Sequence, residues 1–203
     1  MKIAVIGATG NIGSRIVDEA LRRGHEVTAI ARDPSKLTPQ PGLIPARGDV
    51  HDKDGIAALV SGHDAVISSL KFQTVDPAIL IAAVKQAGVK RLLVVGGAAS
   101  LEVAPGVQLF DTPNFPAPYK PEAAAGREFL QILRAETELE WTFLSPSAEV
   151  VPGERTGKFR LGKDELLVMQ TGESKISMED YAVALIDELE NPEHIRERFT
   201  VGY

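Results

Sequence analysis

A doubly wound α/β fold, with a parallel sheet covered by helices on both faces, is the class this sequence predicts, and three observations predict it. Short apolar, β-branched runs alternate with stretches whose apolar residues recur at helical spacing. The first such run enters the first helical stretch through "GATGNIG", which sets Gly7, Gly10 and Gly13 three residues apart. At 203 residues the chain is long enough to bury a full core as one domain without covalent staples.

Lys2 to Ile6 reads as a strand, and Ile12, Ile16, Ala20 and Leu21 then mark a helix that Gly24 stops. Glu26 to Ala31 is again β-branched, so the opening gives β, α, β at the spacing of a crossover unit. The rhythm continues with a strand at Leu43 to Ala46, a short helix at Gly55 to Val60, a strand at Asp64 to Ser68, a helix at Pro77 to Ala87 and a strand at Arg91 to Val95. Five strands alternating with helices imply a parallel sheet buried on both faces. "PGVQLFDTPNFPAPYKP" (Pro105 to Pro121) breaks the pattern as a long proline-rich loop. A helix at Glu122 to Ala135 and a sixth strand at Trp141 to Leu144 follow. "KFRLGKDELLV" (Lys158 to Val168) reads as a small hairpin turning near Gly162 to Asp164. Ser177 and Asp180 open a last helix, in a capping-box-like start that runs to about Glu190. One domain over 1–203 is expected, with a core over 1–145 and a substrate-side hairpin and last helix over 146–203.

Composition removes several function classes. Without Cys there are no disulfides, thiolate zinc sites, iron–sulfur clusters or Cys nucleophiles. A net charge of -6 argues against nucleic acid as the main partner, which needs a basic face. No apolar run approaches the ~20 residues of a membrane span, so no membrane partner is expected, and the start at Met1 and Lys2 shows no signal-peptide pattern. Cytoplasmic residence is the expectation. His25, His51, His63 and His194 lie singly, without metal-ligand spacing, and read as exposed. Glu136, Glu138 and Glu140 read as solvated charge, and Trp141 and Tyr181 as packing.

The glycine turn has a chemical reading. A helix N-terminus offers unpaired N–H groups and partial positive charge, and glycines there let a pyrophosphate approach the main chain. A preceding strand, a following helix and a charged residue at the end of the second strand complete the context of a Rossmann-type dinucleotide site, although the spacing is GxxGxxG. A ligand-free tight turn is the plainer alternative. After the second strand comes Arg32, whose guanidinium suits a 2′-phosphate and favours NADP(H) over NAD(H). Asp33, in "DPSK", reads as an N-cap and not as an acceptor for a ribose hydroxyl.

"IGATGNIG", "RGDVHD", "DAVISSL" and "EWTFLSPS" together resemble the atypical short-chain dehydrogenase/reductases. Within that superfamily the chain is most similar to the small NAD(P)H-binding proteins of the biliverdin reductase B and candidate NADH-flavin reductase kind, and more distantly to NmrA-like regulators. In the resembled family Asp49 lies beside the adenine; a loop-end acceptor for main-chain N–H is the other reading of it. The cofactor-binding set implied by motif and resemblance is Gly7, Thr9, Gly10, Asn11, Ile12, Gly13, Arg32, Asp49, Val50, Ser69, Leu70, Gly96 and Pro146.

Ligands of such sheets lie beyond the carboxyl ends of the strands, which points to Ser68 to Phe72, Gly96 to Ser100 and Ser145 to Val150. Reductases of the superfamily place a Ser or Thr just after the fifth strand and a Tyr followed four residues later by Lys. Here Gly96 and Gly97 occupy the first place, with Ser100 several residues late, and Tyr119 is followed four residues later by Ala123, with Lys120 adjacent. Ser100, Tyr119 and Lys120 are therefore candidates only, and a Ser-Tyr-Lys carbonyl reductase is not expected. Hydride transfer to a planar acceptor such as a flavin or quinone needs little proton machinery from the protein and fits the open site. Phe110, Phe115 and Tyr119 offer a lid, or simply loop packing. A non-catalytic redox-sensing module is the alternative, and a sugar-nucleotide epimerase or dehydratase the third reading. The sequence leaves oligomeric state open.

Overall fold

Along the first strand, Ile3 and Val5 join one buried cluster and Ala4 and Ile6 another on the opposite face of the sheet. All four are buried, as expected of a parallel strand sandwiched between helical layers. A computed structural model describes residues 1–203. In chain order its first half contains β1 (Lys2–Ile6), α1 (Asn11–Arg22), β2 (Glu26–Ala31), β3 (Leu43–Arg47), α2 (Lys53–Val60), β4 (Ala65–Ser68), α3 (Pro77–Gln86) and β5 (Arg91–Val95). Then come β6 (Glu102–Ala104), β7 (Val107–Gln108), α4 (Lys120–Ala135), β8 (Glu140–Pro146) and β9 (Glu149–Val151). β10 (Arg160–Gly162), β11 (Lys175–Ser177), α5 (Met178–Glu190) and β12 (Glu197–Gly202) complete the chain.

The central sheet has the order β10-β12-β8-β5-β4-β1-β2-β3, reversing direction of growth at β1 and β4 as a doubly wound sheet does. All neighbours pair in parallel except β10, which runs antiparallel to β12. One face packs on α1 and α5 through Ile16, Val17, Tyr181 and Leu185, the other on α2, α3 and α4 through Ile56, Leu80, Val84, Phe129 and Leu133. Helix starts are written locally: Asp52 accepts from Gly55 N–H, Asp76 from Ala78 N–H with Pro77 at the first helical position, and Ser177 from Asp180 N–H. No helix is long and apolar enough to cross a membrane.

The structure departs from the sequence reading at the carboxyl-terminal side. Lys158 to Val168 is not a hairpin: β10 pairs with β12, an eighth sheet strand that the alternation of elements did not announce. The cause is close packing, since a Cβ on Gly162 would meet Thr200 of β12 at 3.0 Å and Leu167 at 3.1 Å. The long loop also holds order, with the β6–β7 pair and short turns of 3₁₀ helix at Leu109–Asp111 and Ala117–Tyr119. α4 starts at Lys120, two residues early. Asp180 does not close a capping box; its buried carboxylate accepts from Thr156 Oγ1 at 2.6 Å, Gly157 N–H at 2.8 Å and the Tyr203 hydroxyl at 2.8 Å. Three histidines expected to be exposed are half-buried and bonded: His25 to Glu190, His63 to Thr28 and His194 to Glu188. Glu136 likewise caps Glu138 and Leu139 N–H and pairs with Lys85.

Candidate active site

Parallel register brings the carboxyl ends of the strands to one edge, with Ile6 opposite Ile30 and Ser68, Ser68 opposite Val94, and Val95 opposite Leu144. The glycine turn leaves β1 at the centre of that edge. Gly7 has φ +86°, a conformation that favours glycine, and a Cβ there would strike the Ser69 carbonyl oxygen at 2.2 Å. A Cβ on Gly13 would lie 2.1 Å from the Gly7 oxygen. These two glycines are required by the fold. Gly10 differs: its φ of -73° suits any residue, and its only crowded neighbour is the Gly7 oxygen at 3.3 Å.

Gly10 is also the N-cap of α1 and supplies no side-chain cap, whereas α2, α3 and α5 each begin on a capping carboxylate or hydroxyl. The Thr9, Asn11, Ile12 and Gly13 main-chain N–H groups consequently have no acceptor within the protein. Thr9, Gly10 and Asn11 are exposed. An uncapped helix start, with a glycine where a side chain would obstruct approach, fits the pyrophosphate of a dinucleotide.

On the β2 and β3 side, Arg32 is exposed and its guanidinium makes no hydrogen bond or ion pair with protein, while its main-chain oxygen accepts from Arg47 Nε at 3.0 Å. Asp33 is the cap that "DPSK" implied, accepting from Ser35 N–H at 3.2 Å and the Ser35 hydroxyl at 2.6 Å. Those bonds hold its carboxyl below the usual range, with Lys36 and Arg47 adding to the effect. Asp49 accepts from His51 N–H at 3.0 Å through Oδ1, and Val50 packs against the core.

On the other side of β1, Ser69 N–H donates to Ile6 at 2.8 Å and Leu70 packs on the core. Gly96 and Pro146 are also fixed by the sheet. Gly96 N–H donates to the Leu144 oxygen at 2.9 Å and a Cβ there would meet the Phe143 ring at 2.5 Å, while Pro146 is buried opposite Val201 of β12. Tyr181 fastens the same edge, donating to the Leu144 oxygen at 2.7 Å and accepting from Gly96 N–H at 3.3 Å. Its full burial raises the phenol far above its usual range, so it stays protonated.

Beyond β5 and β8 lies a cleft of about 750 Å³. Gly97, Ala98 and Ala99 after β5, Phe115 and Tyr119 of the proline-rich loop, Ala123 of α4 and Val150 of β9 line it, and Phe72 closes one side. The Phe72 ring is held rigidly, stacked on Phe143 at 6.0 Å, edge-on to Phe129 at 5.7 Å and against Gly126, where a Cβ would come within 2.8 Å. Glu122 fixes its main chain by accepting from Phe72 N–H at 2.7 Å and Gln73 N–H at 3.1 Å. Neither role was legible in the sequence, because Glu122 and Phe72 are 50 positions apart.

The catalytic candidates separate. Ser100 reaches the cleft, but it is buried and its hydroxyl accepts from Arg198 Nη1 at 3.1 Å. Arg198 in turn pairs with Asp164, a link that β12 alone creates. Tyr119 lines the cleft and is 66% exposed, while Lys120 is exposed and lies outside it. Of the loop aromatics, Phe115 and Tyr119 reach the cleft; Phe110 packs on Phe115 at 5.3 Å and beneath Arg127 at 4.5 Å.

Fold and glycine turn thus define a dinucleotide-binding α/β protein. A family model described as NAD(P)H-binding matches residues 7–192, and the chain belongs to this family. It is 44% identical to the uncharacterized protein YwnB of Bacillus subtilis, over 99% of this chain and 98% of that protein. A solved protein of Bacteroides thetaiotaomicron, named as a candidate epimerase, is 46% identical with a TM-score of 0.95, covering 100% of this chain and 96% of that one. A Streptococcus pneumoniae protein, named as a candidate NADH-flavin reductase, is 37% identical with a TM-score of 0.86, over 100% and 99%. These likenesses agree with the atypical dehydrogenase/reductase resemblance in the sequence.

Proposed function

We propose that this protein is an NAD(P)H-dependent oxidoreductase that reduces a planar acceptor of the flavin or quinone class, with NADP(H) preferred over NAD(H). The observation that carries the reading is the aromatic-walled cleft at the carboxyl ends of β5 and β8, on the same edge of the sheet that the glycine turn leaves. The relative named as a candidate NADH-flavin reductase supports it.

When bound, the reduced dinucleotide supplies a hydride. The α1 N–H groups from Asn11 to Gly13 bind its pyrophosphate, and Arg32 pairs with the 2′-phosphate. The rigid Phe72 face, with Phe115 and Tyr119, orients a flat ring by stacking and excludes water from its faces. No side chain pair is poised to deliver a proton: Ala123 stands four residues after Tyr119, and Ser100 is held by Arg198. Water therefore protonates the reduced acceptor, as suits a flavin or quinone. The same absence of a Tyr/Lys pair weighs against sugar-nucleotide epimerase chemistry, whatever the name of the Bacteroides relative. The lack of Cys fits a reducing compartment, and we assign the activity to the cytoplasm.

Filling the cleft tests the reading. In Ala123→Phe, kcat/KM for a flavin acceptor should fall by about tenfold or more, because the ring loses its space, with NADPH affinity unchanged. Undiminished turnover would remove the cleft as the acceptor site.

A further inference from the structure

We propose that Arg47, on β3, joins Arg32 in clamping the 2′-phosphate of NADP(H) and so sets coenzyme specificity. The inference rests on the dinucleotide site above and adds to it a residue that no motif marks. Parallel pairing of β2 with β3 puts Ala31 opposite Arg47, which brings Arg32, the next residue, to the same carboxyl edge. Arg47 Nε donates to the Arg32 main-chain oxygen at 3.0 Å, spending one of the guanidinium's five N–H donors and leaving its two Nη groups without a protein partner. Both arginines are exposed.

The rest of the chain makes this arrangement informative. Most arginines pair with carboxylates, as Arg15, Arg23, Arg155 and Arg198 do; Arg47, like Arg160 and Arg196, donates to main-chain oxygen alone, and the Arg32 guanidinium has no hydrogen-bond or ion-pair partner. An Arg47 guanidinium bonded to the Arg32 main chain and lacking a carboxylate ligand keeps its Nη groups open to an anion at this edge, in a chain whose net charge is -6. Of the acids on this edge, Asp33 turns its Oδ1 to Ser35 and Asp49 turns its Oδ1 to His51 N–H; Lys36 adds a further cation. The forked donors of Arg47 match a phosphate's oxygens from the β3 side while Arg32 reaches them from the β2 side.

Direct binding to the full-length chain tests the clamp, using NADPH, NADH and adenosine 2′-monophosphate as probes in calorimetric titrations. Wild type should bind NADPH about tenfold or more tightly than NADH, and Arg47→Gln should lose about tenfold for NADPH and for adenosine 2′-monophosphate while NADH stays within about twofold. Arg47→Lys, which keeps charge without the fork, should fall between them, with all melting curves alike. Equal losses for NADPH and NADH would reduce Arg47 to a brace for the Arg32 loop and overturn the clamp, as would an Arg47→Gln variant with unchanged NADPH affinity. A wild type that binds neither dinucleotide would overturn the underlying site as well, so the two failures are distinguishable.

Discussion

A side chain on Gly13 would drive its Cβ to 2.1 Å from the carbonyl oxygen of Gly7, while the same addition at Gly10 meets nothing nearer than 3.3 Å. The three glycines of one motif therefore answer to different demands. Gly10→Val should leave a folded protein, destabilised by about 1 kcal/mol, a melting-temperature drop of about 2–4 °C for this size, yet abolish NADPH binding. Gly13→Ala should lose about 3 kcal/mol or more, because main chain must move. Thermal melts alongside NADPH titration check both. A Gly10→Val protein that still binds NADPH would remove the pyrophosphate from this turn.

Glu122 couples α4 to the cleft by capping Phe72 and Gln73 N–H. Glu122→Ala leaves the half-buried Phe72 N–H without its acceptor, while water serves the exposed Gln73 N–H, and should cost about 1 kcal/mol. Since Phe72 then loses its fixed position, KM for the acceptor should rise while NADPH affinity holds. Steady-state kinetics with each substrate varied in turn separates these effects, and parallel changes in both would speak against a local role for Phe72.

Glu19 makes the pH dependence of stability readable. Its carboxylate accepts from Arg155 at 2.7 Å through both oxygens and from Arg23 at 2.7 Å. Hydrogen bonding from Arg155, opposed by burial and assisted by Arg23, lowers its pKa from 4.5 to about 2. A depressed carboxylate stabilises the fold fully above its unfolded pKa, so this contribution is present above pH 4.5 and lost as pH falls toward about 2. Arg155 is itself 39% exposed, and water replaces part of the contact. Glu19→Gln should therefore cost only about 1–2 kcal/mol at neutral pH, and the variant's loss should shrink as pH falls. Denaturant melts at neutral and acid pH measure the difference; a loss independent of pH would show that packing, not charge, is what Glu19 provides.

Tyr119→Phe should reduce turnover by less than about threefold, because the hydroxyl faces solvent and a proton from water suffices; a general acid would cost 10²- to 10⁴-fold on removal. Turnover with a flavin at several pH values decides between these. A loss on the larger scale would return Tyr119 to the proton-donor role that its sequence neighbours deny it.

Local signals made the glycine turn and the helix starts legible. The "GATGNIG" turn, the Asp33 cap before Pro34 and the capped start of α5 at Ser177 each depend on residues within a few positions, so the sequence reading and the structure agree there. Relations between distant segments were not legible. β12 carries Phe199 and Val201 into the core and Arg198 to Ser100, but "ERFTVG" has no turn signal tying it to β8 or β10. Gly96 illustrates the same limit from the other side. The Phe143 ring that forbids a Cβ there comes from a strand far along the chain. The cleft lies where the rule that ligands gather at the carboxyl ends of strands puts it, and Phe115 and Tyr119 were legible as its aromatics, whereas the place of Phe72 depends on Glu122 and Gly126, far along the chain.

The most direct test follows the absorbance of reduced nicotinamide as FMN, FAD and a quinone are added in turn to the protein with NADPH. The account predicts acceptor-dependent loss of absorbance that saturates with both NADPH and acceptor. Tight NADPH binding with no loss for any of the three would contradict the reductase reading and leave a protein that binds the coenzyme to report redox state.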